Sequence, residues 1–156
     1  MLRISVLMQT DFPLPVAPAI RRCGILAIFA ITGFPARSFP TAKDKGAEVS
    51  LIDAASFSSD QVSAYDGIAF GCPAMGDEVL EESEFDPMFT DVEQALAGKK
   101  IALFGSYGWG DGQWMRDWED RCREAGAVLA ADSVIANDAP GDEETELCKG
   151  LGAALA

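Results

Sequence analysis

Histidine is missing altogether from the 156 residues, and that absence removes more chemistry than any other. Without imidazole there is no Ser-His-Asp or Cys-His relay and no His-ligated metal site. Cysteine is scarce and scattered. Cys23, Cys72, Cys122 and Cys148 form no C-x-x-C pair, so they read as reduced thiols of a cytoplasmic protein, not a disulfide framework. Basic residues are few, 12 Lys and Arg against 25 Asp and Glu, for a formal charge of −13. A nucleic-acid surface needs clustered Lys and Arg, so that partner is excluded. The apolar run Gly24–Gly33 is too short to span a bilayer. What remains is one domain's worth of chain, 49% apolar, enough to bury a core.

The charge is unevenly spread. Residues 1–42 hold four arginines, one acid and five of the eight prolines, whereas residues 43–156 hold eight basic and 24 acidic residues. The chain reads as two compositions joined near Thr41–Lys43.

From Lys43 onward, apolar runs alternate with amphipathic stretches. Glu48–Asp53 is a strand candidate, and Gly67–Gly71 and Lys100–Gly105 read as strands buried on both faces. Ala127–Ala131 is a weaker fourth, resuming at Val134-Ile135. Between them, a helix is expected with Asp86 as cap, Pro87 at its first position, and Met88, Phe89, Val92 and Leu96 on one face. A second starts near Asp111-Gly112 and carries Trp114, Met115, Trp118 and Cys122. A third starts at Gly141-Asp142 and carries Leu147, Leu151 and Leu155. Such β-α alternation implies a parallel sheet covered by helices on both faces, with ligands at the carboxyl ends of the strands.

Two strand-end loops follow as candidates: Gly71-Cys-Pro-Ala-Met-Gly-Asp-Glu78 and Gly105-Ser-Tyr-Gly-Trp-Gly-Asp111. Neither pairs a nucleophile with a base. Both are rich in glycine and are expected to expose a large soft or aromatic side chain, Met75 in one and Trp109 in the other. That suits a flat aromatic ligand held between apolar walls. Trp114 and Trp118, at helical spacing, belong to the core, and Cys72 reads as a small buried filler. Trp109, between two glycines in a loop, has no such explanation.

Residues 71–78, Leu-Glu-Glu-Ser-Glu-Phe (80–85), 98–112 and Trp-Met-Arg-Asp-Trp (114–118) together resemble the short-chain flavodoxins of the clostridial type. The resemblance covers 43–156 and implies an α/β flavodoxin-like three-layer sandwich with strand order 2-1-3-4-5. Flavodoxin is itself the standard example of that order, with FMN at the switch point. It implies a low-potential one-electron carrier with non-covalent FMN, not an enzyme. It also implies a cytoplasmic monomer that meets reductase and acceptor proteins through an acidic surface, with no membrane partner. The cofactor would be held by Cys72, Pro73, Ala74, Met75, Gly76, Asp77 and Glu78, and by Ser106, Tyr107, Gly108, Trp109 and Gly110. In that reading Met75 and Trp109 sandwich the ring, and Gly76 carries a peptide that turns its carbonyl towards flavin N5 on reduction. Glu78 accepts a hydrogen bond from N3. Backbone groups of Ala74, Ser106, Tyr107 and Gly108 line the pyrimidine and ribityl side.

Residues 1–42 do not match that family. Ile4–Met8 is the one strand-like stretch. It is followed by Asp11-Phe-Pro-Leu-Pro-Val-Ala-Pro18, with three prolines and no glycine where the family has a hydroxyl-rich phosphate loop. A signal peptide, with Arg21-Arg22 before the apolar run, and a divergent first βα unit are two explanations. A third lies in the codons. Back-translated with a CTN codon at Leu14, Gln9–Ala19 read on the opposite strand, one base out of phase, gives Ala-Gly-Ala-Thr-Gly-Ser-Gly-Lys-Ser-Val, whose first Ser is alternatively Arg. That string contains the P-loop G-x-x-x-x-G-K-S, and the surrounding stretch resembles bacterial DNA-translocase motors. On that reading 1–42 is the antisense of another gene, joined to a flavodoxin-like unit of 43–156 that lacks its first strand, phosphate loop and first helix. The alternative function is then a chimeric fragment with weak or no FMN binding.

Overall fold

A computed structural model of the chain describes residues 3–8, as backbone, and residues 45–156. Its sheet is parallel and contains β1 (Arg3–Met8), β2 (Glu48–Asp53), β3 (Gly67–Gly71), β4 (Lys100–Tyr107), β5 (Val128–Leu129) and β6 (Val134–Asn137). The order is β2-β1-β3-β4-β5, with β6 also pairing β4. β5 lies beside Lys100 and Ile101, and β6 beside Phe104 to Tyr107. The fifth position of the expected order is thus one interrupted strand, as the weak run at Ala127 and its resumption at Val134 suggested. The strand-like stretch at Ile4–Met8 takes the first-strand place: β1 lies between β2 and β3, with Ile4 opposite both Val49 of β2 and Gly67 of β3.

Strand alternation divides the core into two layers. Ile68 and Phe70 of β3 and Ile101 and Leu103 of β4 face a cluster with Phe85, Phe89, Trp114 and Trp118. Ala69, Ala102 and Phe104 face the other side, against Cys148, Leu151 and Leu155. Both layers are covered by helices: α1 (Phe85–Val92) and α2 (Gln113–Glu124) on the first, α3 (Asp142–Leu155) on the second. The link from β2 to β3 is built of two 3-10 turns, Ala54–Ser56 and Ser59–Ala64.

Two readings of the helices are corrected. α1 begins at Phe85, ahead of the expected Asp86-Pro87 start, because a carboxylate from the preceding turn takes over the capping. Glu81, 6% exposed, accepts from the N–H groups of Ser83, Glu84 and Phe85 and from the Ser83 hydroxyl. On α3 the inward face is Cys148, Leu151, Gly152 and Leu155. Leu147 is 53% exposed.

Candidate functional site

The two loops singled out by sequence leave the carboxyl ends of β3 and β4, neighbours in the middle of the sheet. Their roots are joined by backbone bonds. The Cys72 N–H donates to the Phe104 carbonyl at 3.1 Å and the Ala74 N–H to the Ser106 carbonyl at 2.8 Å. That commits one of the Ala74 backbone groups within the protein. Gly105 is required there because a β-carbon would stand 2.2 Å from the Cys72 carbonyl oxygen. Cys72 itself is 1% exposed, and burial pushes its thiol up to about 12. It is the filler expected, not a nucleophile.

Beyond the roots the loops rise into solvent. Met75 and Val79 exchange N–H to carbonyl bonds, both 2.9 Å, closing a tight turn over Gly76, Asp77 and Glu78. Gly76 has φ of +47°, the left-handed backbone that glycine adopts at least cost. In the second loop Gly110 and Gly112 have φ of +86° and +85°. Met75 is 40% exposed and Trp109 61%, so each loop lifts a large soft or aromatic side chain clear of the core, whereas Tyr107 packs against it. The Tyr107 carbonyl is committed to the Asp138 N–H at 2.8 Å.

The feature that sequence reasoning missed is the link between the tips. Glu78 Oε1 accepts from the N–H groups of Gly112 and Gln113, each at 2.8 Å. Pairs 34 and 35 residues apart leave no local pattern to read. Beside the first loop runs a groove of about 280 Å³ walled by Val79, Leu80, Trp114 and Trp118, with Glu82 and Asp117 also lining it. Among the described residues no group of His, Cys, Asp and Glu is placed to hold a metal ion. No described helix is long and apolar enough to cross a membrane. The proline-rich stretch 11–18, read as unable to form a phosphate loop, lies outside the described residues.

A doubly wound parallel sheet with two glycine-rich loops side by side at its carboxyl edge is the architecture of a nucleotide- or flavin-binding α/β protein. The comparisons make the class specific. The family model "Flavodoxin" matches residues 40–150. The flavodoxin of Clostridium beijerinckii is 43% identical over 113 residues, 72% of this chain and 81% of that one. That of Megasphaera elsdenii is 45% identical over 114 residues, 73% and 81% of the two chains. The solution structure of two-electron reduced Megasphaera elsdenii flavodoxin superposes with a TM-score of 0.75 at 34% identity, covering 97% of each chain. This chain belongs to the flavodoxin family, the FMN-binding electron carriers, which are not enzymes.

Proposed function

We propose that this chain carries single electrons at low potential on an FMN whose ring lies between Met75 and Trp109. The observation that carries the reading is the pair of large, uncovered side chains raised from the ends of two adjacent central strands. A planar ring placed between them would remove apolar surface from water on both of its faces. FMN, when bound, supplies a ring that accepts and releases electrons. The protein's part is to hold that ring and bias its charge. Gly76 tolerates the backbone change that presents a carbonyl to N5, and Glu78 offers a carboxylate oxygen to N3.

Asp77, Glu78 and Asp111 lie in the loops, and Glu82 and Glu84 follow the first of them. Negative charge close to the ring opposes adding more to it, which lowers the potential, by an amount that solvent screening of these largely exposed carboxylates limits. The same charges suit a redox partner with a basic contact surface, reductase or acceptor, docking over Trp109 and the groove beside Val79. We assign the chain to the cytoplasm, as a monomer.

A titration of the full chain with FMN, read by quenching of flavin emission, tests the reading. Saturable quenching, weakened about tenfold by Trp109→Ala as expected for one lost aromatic stack, supports it. No quenching up to high micromolar FMN overturns it, leaving the chimeric fragment.

A further inference from the structure

One buried side chain touches both glycine-rich loops where they leave the sheet. The Nε1–H of Trp114 donates to the Cys72 carbonyl, 3.3 Å away at the start of the first loop. The other edge of the same indole faces the second loop. A β-carbon on Gly105, where that loop begins, would stand 3.2 Å from Trp114 Cζ2, and one on Gly112, where it ends, 3.8 Å from Cζ3. Between them the Tyr107 ring packs against the indole, 5.5 Å from centre to centre at a tilt of 46°. Trp114 is 2% exposed, so its N–H has no water to turn to. It stands at the second position of α2, which Met115, Trp118 and Cys122 anchor in the core. A rigid ring on an anchored helix thus meets both loops at once.

We propose that Trp114 is a positioning residue for the flavin site: its indole seats both loop roots and so sets the gap between Met75 and Trp109 before the ring enters. The inference rests on the flavin site proposed above, but the seating belongs to the FMN-free chain. Met75 stands three residues beyond Cys72, and Trp109 two beyond Tyr107, so a shift at either root moves the side chain it carries. Glycines at 76, 108 and 110 give the tips freedom of their own. The fewer degrees of freedom the roots add, the less order binding has to impose.

The first test is amide hydrogen exchange of the full chain without FMN, with Leu103 in β4 as internal reference. The Cys72 and Ala74 amides bond across to the Phe104 and Ser106 carbonyls and so report on the roots. In Trp114→Phe, which keeps a ring but lacks the N–H, both should exchange about tenfold faster relative to Leu103, as for one lost hydrogen bond. Phe89→Leu is the control. It takes volume from the same core layer, and its ring meets Phe70, Phe85 and Trp118. Its exchange ratios should stay native. The second reading is the flavin emission left at saturating FMN, which reports how the ring is stacked and not how stable the chain is. It should rise about twofold in Trp114→Phe and stay native in Phe89→Leu. Native values in Trp114→Phe, or the same changes in the control, overturn the proposal. Should Trp114→Phe not fold, Tyr107→Leu decides, since it removes the ring contact and keeps the loop backbone. Faster exchange at Ala74 relative to Leu103 then supports the seating, and an unchanged ratio overturns it. A native chain that quenches no flavin refutes the flavin site and leaves the exchange result to judge the seating alone.

Discussion

The indole Nε1–H of Trp114 donates to the backbone carbonyl of Cys72, 3.3 Å away and buried, tying α2 to the point where the first of the two glycine-rich loops leaves β3. Trp118, one turn further along the same helix face, has no such bond. Its Nε1 is buried without a partner, and its ring meets Phe85 and Phe89 edge to face at 5.4 and 5.6 Å. The two tryptophans should therefore differ under the same substitution. Trp114→Phe leaves the Cys72 carbonyl unsatisfied, at a cost of about 1–3 kcal/mol beyond the lost ring volume. Trp118→Phe loses volume but also removes an unpaired donor. Urea unfolding should show Trp114→Phe to be the more destabilised; equal losses would mean that the 3.3 Å bond contributes nothing.

Gly105 and Gly150 form a second contrast. An alanine at Gly105 would place its β-carbon 2.2 Å from one backbone atom and 3.1 Å from another, both of Cys72. Neither is a side-chain end that can turn aside, so the loop root must shift. A loss of about 1–3 kcal/mol or more is expected, with weaker FMN binding. Gly150, inside α3, has nothing within 4 Å of a would-be β-carbon. Gly150→Ala should stabilise the chain by about 0.5–1 kcal/mol. Thermal melts of the two variants should move in opposite directions.

How far these features show in the sequence depends on the range of the interaction. β3 and β4 are legible because a strand buried on both faces must be continuously apolar, as Ile68-Ala-Phe70 and Ile101-Ala-Leu-Phe104 are. The loops are legible because glycine and an isolated Trp109 have few other uses there. The start of α1 is not legible because the acceptor for its first amides is the Glu81 carboxylate, four residues upstream of Phe85, where no propensity scale looks. The inward face of α3 is blurred in the sequence by Gly150, Gly152 and two alanines, and Cys148, not Leu147, occupies it. Glu78 showed its residue type but not its partners, because only the sheet brings residue 112 beside it.

Arg121 connects α2 to α1. It pairs with Asp86 at 2.5 Å and with Glu93, donates to the Thr90 hydroxyl at 2.7 Å, and lies 5.0 Å from the centre of the Phe89 ring. An isolated exposed pair contributes little, but here one planar guanidinium serves four neighbours and is only partly exposed. Arg121→Ala should cost about 1–3 kcal/mol, and Arg121→Lys should recover less than half, since an ammonium cannot reproduce the fork. Full recovery by lysine in urea unfolding would reduce the interaction to simple charge.

Acid should loosen the turn before α1. Burial alone would push the Glu81 carboxyl up. The hydrogen bonds from the Ser83 hydroxyl and from the Phe85, Glu84 and Ser83 N–H groups outweigh it and hold the group below its ordinary value of 4.5. A carboxyl depressed in the folded state contributes stability that is fully present above its unfolded pKa and is lost as pH falls through the folded one. Stability measured by urea between about pH 5 and pH 3 should therefore fall less steeply in Glu81→Gln than in the native chain. The variant should also be less stable at pH 7 by about 1–2 kcal/mol, the size of a lost helix cap. Parallel pH profiles would mean that Glu81 titrates alike in both states.

Flavin selectivity tests whether residues 1–42 come from a source outside the family. In the site proposed above, stacking on Met75 and Trp109 and an edge contact at Glu78 would recognise the ring, which riboflavin and FMN share. Discrimination between the two depends on donors for the phosphate, commonly amides and hydroxyls gathered at a helix start. The stretch following β1, Asp11-Phe-Pro-Leu-Pro-Val-Ala-Pro18, has three prolines without N–H groups, no glycine and no hydroxyl. If these residues were never selected as a phosphate loop, FMN and riboflavin should bind within about tenfold of each other, a spread smaller than one charge-assisted hydrogen bond would produce. Paired titrations read by flavin quenching give the ratio. A preference for FMN of a thousandfold or more would mean that the chain supplies several phosphate donors, and the N-terminal segment would then count as a working part of the carrier.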